Sequence, residues 1–187
     1  MALPLIPPGQ YDLRVDRVRD PDTGQCGTAV FDRHRVYRYL LTRVWTPDAP
    51  LAVYVMLNPS TASALEDDPT IRRCIGFARR EGTGGLVVVN LFALRATNPQ
   101  ALRDHKEPVG RCNDAFIRQA VRTAGGPVIA AWGAGGVLHD RSEHVMRMLR
   151  KGPRPLQCLG VTATGQPRHP LYLAGNTALR SYDGPGA

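Results

Sequence analysis

Residues 51–60 read LAVYVMLNPS, and this stretch decides the fold. Leu51 to Leu57 are apolar without a break, which is the pattern of a strand buried on both faces, not of one with a wet side. Asn58-Pro59 ends it: proline has no N–H to give to a ladder, and asparagine turns the chain by bonding nearby backbone. A strand covered on both faces needs helices on both sides, so strand and helix should alternate toward the C-terminus. They do. Asp68-Pro69-Thr70 opens a helix with Asp68 as N-cap and Pro69 at the first helical position; Ile71, Cys74, Ile75 and Ala78 form its apolar face, and Gly82 to Gly85 stop it. Leu86 to Leu91 (LVVVNL) is a second buried strand, and Asn113-Asp114 starts a helix that turns Phe116, Ile117, Ala120 and Val121 inward. Val128 to Trp132 (VIAAW) is the third strand. Gly133 to Gly136 lead into a helix through Val145, Met148 and Leu149, and Leu156 to Leu159 (LQCL) is the fourth strand.

Upstream, residues 29–45 are rich in β-branched and aromatic side chains, among them Val30, Phe31, Val36, Tyr37, Tyr39 and Val44, with Asp32-Arg33-His34 as the turn of a hairpin. The expectation is a three-layer α/β/α sandwich with a central parallel sheet, preceded by an N-terminal β-hairpin, in one domain over residues 1–187. Residues 1–10 and the tail from Ser181 are expected to be loose.

Composition narrows the function classes. With 43% hydrophobic and 21% charged residues the chain is neither disordered nor membrane-embedded. Its start lacks a basic segment and its first apolar run is broken by proline, so no signal peptide is read there. The longest uncharged stretch, Thr123 to His139, is Gly-rich and too short for a bilayer, and a cytoplasmic monomer is expected. Cys26, Cys74, Cys112 and Cys158 lie far apart without a CxxC pair, which favours reduced thiols over a disulfide framework or a metal cluster. A formal net charge of +8 points to a polyanionic partner such as DNA, although arginine richness alone does not require one.

In a parallel sheet, ligands bind outside the carboxyl ends of the strands. That rule puts Asn58-Pro59-Ser60, Asn90 through Asn98, Gly133 to Gly136 and the loop leading to Arg168-His169-Pro170 on one rim.

These residues carry two resemblances. The strings LNPSTA (57–62), DPTI (68–71), VVNLFA (88–93) and RHPLYL (168–173) resemble a bacterial family catalogued as a domain of unknown function, over about residues 31–172. More distantly, Asn58-Pro59, a strand ending at Asn90, Trp132-Gly133 and His169-Pro170 are similar, in order and position, to the loops of the uracil-DNA glycosylase superfamily. Two positions depart from that pattern: Met56 stands where it has glycine, and no serine follows His169-Pro170.

The second resemblance implies hydrolysis of the N-glycosidic bond of a damaged base such as uracil, in DNA, without cofactor or metal. Such a site must take the base out of the stack, hold a water beneath the sugar, read the base edge and stabilise the departing anion. The resemblance gives Asn58 the water and His169 the leaving group, as catalytic residues. Asn90 offers the donor and acceptor needed to read a pyrimidine edge, with Pro59, Ser60, Phe92, Leu171 and Tyr172 around the substrate and the last two wedging into the duplex. Arg72, Arg79 and Arg168 would track phosphates. Plainer readings stand beside these: an Asx-turn at Asn58, a loop histidine at His169, and N-capping, not a metal pair with Asp67, for Asp68. The alternatives to base excision are a non-catalytic nucleic-acid or nucleotide-binding module, or an enzyme acting on free nucleosides or nucleotides.

Overall fold

The computed structural model describes residues 5–7, 9, 11–64, 66–98 and 100–186. Its strands are β1 (Leu13–Arg19), β2 (Cys26–Asp32), β3 (Arg38–Val44), β4 (Leu51–Met56), β5 (Gly85–Asn90), β6 (Gly125–Ala130), β7 (Leu156–Cys158) and β8 (Arg180–Ser181). Its helices are α1 (Pro69–Arg80), α2 (Gln100–Asp104), α3 (Asn113–Thr123) and α4 (Arg141–Leu149), with a 3-10 segment over Ala134–Asp140. All eight strands join one sheet in the order β1-β2-β3-β5-β4-β6-β7-β8.

The sheet is mixed, which corrects the expected parallel sheet with a separate hairpin. Strands β5, β4, β6 and β7 pair in parallel, but the hairpin is built into the same sheet because β3 runs antiparallel beside β5, Leu41 opposite Val88. Four of the seven pairings among the described residues are antiparallel. The reason is that β5 would otherwise leave a row of unpaired N–H and C=O groups at an open edge, and β3 covers them. On its other side the hairpin is extended by the edge strand β1, which pairs with β2 and packs Leu13 and Val15 against one core layer and Val18 against the other.

Alternation along β4 sends side chains to two apolar layers. Val53 and Val55 pack with Phe116, Ile117 and Ala120 of α3 and Val145 and Leu149 of α4. Ala52, Tyr54 and Met56 pack on the opposite face with Ile71, Cys74, Phe77 and Ala78 of α1. Asp68 caps α1 by accepting the Ile71 N–H at 2.8 Å, as the Asp-Pro-Thr motif predicts.

Three further differences concern boundaries. Strand β6 ends at Ala130, so Trp132 lies beyond it in the rim loop. The start of the tail expected to be loose is held: Arg180–Ser181 pairs with β7, and Tyr182 is buried with its ring 6.0 Å from Trp132 and its hydroxyl donating to the Gly165 carbonyl at 3.1 Å. Leu5, within the stretch expected to be loose, is buried in the core. Among the described residues no helix is long and apolar enough to cross a membrane.

Candidate functional site

A cavity of about 360 Å³ opens on the α1 face of the sheet, at the carboxyl ends of β4 and β5 and against the first turn of α1. Asn58, Asn90 and His169, which stand on three separate loops or strand ends, all line it. Its volume is at the small end of the roughly 300–1,000 Å³ range of ligand sites.

Asn58 leaves β4 and turns its amide onto backbone. Its Nδ2 donates to the Ala96 carbonyl at 2.7 Å and the Pro59 carbonyl at 3.0 Å. Both neighbours are acceptors, so the nitrogen must face them and the side-chain oxygen is left as the acceptor that Asn58 can offer a ligand or water. Asn90 ends β5 at 2% exposure, and its Nδ2 has no hydrogen-bond partner among the described residues. A buried amide donor without an acceptor costs about 1–3 kcal/mol, which a ligand oxygen would relieve. The strand end itself is held: Asn113 donates to the carbonyls of Asn90 at 2.8 Å and Leu91 at 3.0 Å. Asn90 is thus fixed in place with an open donor.

His169 precedes a 3-10 turn over Pro170–Tyr172 and caps it, its Nδ1 accepting the Leu171 N–H at 3.3 Å. With Nδ1 as acceptor, the neutral ring carries its proton on Nε2 and remains a donor there. Burial lowers the His169 pKa from its usual value while the Asp68 carboxylate pulls it the other way, the net shift favouring the neutral ring. Gly133, at φ 70°, turns the chain after Trp132 and donates to Pro167 at 2.8 Å, tying that rim to the His169 loop. At Gly136 a Cβ would come within 2.1 Å of the Trp132 ring, so only glycine lets the following segment close over the indole. Trp132 is held further by its N–H on Gln166 at 2.8 Å.

Two charged lining residues were not foreseen. Arg38, at the start of β3, is 3% exposed yet lines the cavity, its Nη1 donating to the Ala62 carbonyl and its Nε buried without a partner. Asp68 lines it too, beyond its capping role. Burial brings the Arg38 pKa down to about 10, with Asp68 opposing, so the guanidinium stays charged at neutral pH. The only sequence signal for Arg38 is a charge within a run that is otherwise apolar, Tyr37 to Leu41.

Other candidates separate. Ser60, Leu171 and Tyr172 line the cavity, the last two 39% and 74% exposed at its mouth. Phe92 does not: it is wholly buried in the α3 and α4 layer, two residues past Asn90, where the chain has turned into the opposite core. Pro59 is buried outside the lining, its carbonyl accepting from Ala96 at 2.9 Å. Arg72 sits in the first turn of α1 by the cavity, bonding the Asp67 carbonyl, and exposed Arg168 adjoins His169. Arg79 is two turns further along α1, stacked 4.5 Å over Trp45. Asp67 is not half of a metal pair with Asp68 here; Arg43 holds it at 2.8 Å. The four cysteines are free, with Cys74 and Cys158 buried.

A family model described as "Protein of unknown function (DUF1643)" matches residues 38–171. No curated protein and no solved structure matches the chain.

Proposed function

The chain belongs to the DUF1643 family, whose description assigns no activity, and from the site itself we propose a hydrolase of N-glycosidic bonds that holds a damaged nucleobase in the cavity. The observation that carries this reading is that three residues with unused groups line one cavity: Asn58 with its side-chain oxygen, Asn90 with its unpartnered amide nitrogen and His169 with its Nε2–H. An acceptor for water, a donor for a base carbonyl and a second donor for a developing oxyanion are what the reaction asks of its surroundings.

In this reaction the C1′–N bond breaks and its electron pair stays on the base, delocalised onto a carbonyl oxygen. Water supplies the new C1′–O bond, oriented by the Asn58 carbonyl oxygen, and its proton passes to solvent. His169 donates to that carbonyl oxygen as negative charge grows, and the base takes a proton on release. Asn58 orients water without becoming a strong base, which points to slow chemistry. Met56 fills part of the cavity wall, which favours a small ring. Leu171 and Tyr172, exposed at the mouth, suit the gap left by an extruded base. The wider superfamily likeness and a DNA substrate belong to this same proposal, supported by the order of the rim motifs and the basic charge.

The test is to incubate the purified protein in large excess with oligonucleotides bearing uracil, hypoxanthine, xanthine or hydroxymethyluracil, and to score abasic sites by alkaline cleavage. Abasic product from at least one, abolished in a His169→Ala Asn58→Ala double variant, is expected. No product from any of them ends the excision reading and leaves a base- or nucleotide-binding module.

A further inference from the structure

Arg38 stands apart from the other buried arginines. Arg43, on the same strand and 2% exposed, gives its N–H groups to four acceptors: Asp67 at 2.8 Å, Thr42 at 2.8 Å, Ser63 at 2.7 Å and Glu66 at 3.2 Å. Arg141, 5% exposed, bonds the Leu91 carbonyl at 2.7 Å and the Asp114 carboxylate. Arg38 has a single hydrogen bond among the described residues, to one neutral carbonyl, and no carboxylate within ion-pairing distance. Asp68 is the acidic group acting on it; Arg43 and Arg95 act with the opposite sign. One Asp68 oxygen is already taken by the cap of α1.

A buried guanidinium with most of its five donors open is an expensive arrangement unless something else completes it. Arg38 lines the same cavity as Asn90 and His169. Planar and always charged, guanidinium recognises oxygen anions by paired N–H bonds. We propose that Arg38 makes this cavity selective for a ligand that presents a negatively charged oxygen to the sheet, either the carbonyl oxygen of an anionic nucleobase or a nucleotide phosphate. The inference rests on reading the cavity as a base site, and it adds the substrate's charge to that reading: Arg38 would hold the oxygen on which the leaving base collects its electrons.

The experiment is calorimetric titration of wild type and Arg38→Met with four probes: uracil, its anionic relative barbiturate, deoxyuridine 5′-monophosphate and inorganic phosphate. Wild type is expected to bind an anionic probe about 30-fold or more tightly than uracil, a difference of about 2 kcal/mol. Arg38→Met should erase that preference. Preference for barbiturate assigns the charge to the base; preference for the nucleotide with competition by inorganic phosphate assigns it to a phosphate. Equal binding of charged and neutral probes to wild type, no binding of any probe at millimolar concentration, or a preference that survives in Arg38→Met overturns the inference. Should Arg38→Met fail to fold, Arg38→Gln takes its place with the same expected outcomes. Anion preference without abasic product from any oligonucleotide would sink the excision reaction and leave Arg38 as an anion ligand; abasic product without anion preference would do the reverse.

Discussion

The two ends of β3 carry the same residue in opposite situations. Arg43 ties the loop between β4 and α1 to the sheet through Ser63, Glu66 and Asp67, with an acceptor for every nitrogen. Arg38 touches that loop once, at Ala62, and otherwise faces the cavity. Burial is nearly equal, so burial does not distinguish structural from functional use; the count of satisfied donors does. The same contrast separates the amide nitrogen of Asn113, which donates to two carbonyls, from that of Asn90, which has no partner among the described residues.

The comparison is easiest to break through stability. Arg43→Met removes a buried partner of Asp67 and should destabilise the protein by about 3–5 kcal/mol, read from urea midpoints. Arg38→Met removes a charge that the fold leaves largely unpaired and should leave the midpoint unchanged or raised. Equal losses would show that Arg38 is structural. Phe92 and Tyr172 extend the contrast to apolar residues: Phe92→Ala empties a core position and should cost about 3–5 kcal/mol, whereas Tyr172→Ala, at an exposed position, should shift stability by less than about 0.5 kcal/mol while weakening substrate binding.

Within the cavity, donors and acceptors should also differ. A positioned donor to a developing oxyanion contributes a factor of about 100 to 1,000, so His169→Ala should slow single-turnover excision more than Asn58→Ala, with DNA binding nearly intact in both. The reverse order would move the principal role to water orientation. The smallest effect expected is on pH dependence. Burial holds the His169 pKa below 6.5 in the folded state, against the lesser opposing pull of Asp68. Its contribution to stability is therefore complete above pH 6.5 and is lost as pH falls through the lowered folded value. His169→Gln should flatten that acid limb in melts between pH 7 and 5; an identical limb in both proteins would mean that the ring is not held neutral.

Much of this was legible in the sequence, and the failures have physical causes. The unbroken apolar runs before Asn58 and at Leu86–Val89 placed two strands, and Asp68-Pro69 placed a helix start, because these signals are local. The convergence of Asn58, Asn90 and His169 followed from strand order, since successive strand ends share one rim. What was missed is non-local. Nothing near Leu41 says that it will lie opposite Val88, so the mixed sheet had no local signature. Arg38 reads as an ordinary charge in a hairpin until that pairing carries it to the end of β5. Phe92 was misassigned because it sits in the same loop as Asn90, yet the chain beyond β5 enters the opposite layer.

The most direct test of the account is the side-chain amide resonance of Asn90 in 15N-labelled protein, assigned with an Asn90→Asp variant and followed as a nucleobase is titrated in. If the open donors of the cavity are a base site, the Asn90 Nδ2 protons shift progressively and saturate while those of Asn113, already bonded to two carbonyls, stay within a linewidth. Saturable base binding that leaves Asn90 unmoved, or no binding at all, would contradict it.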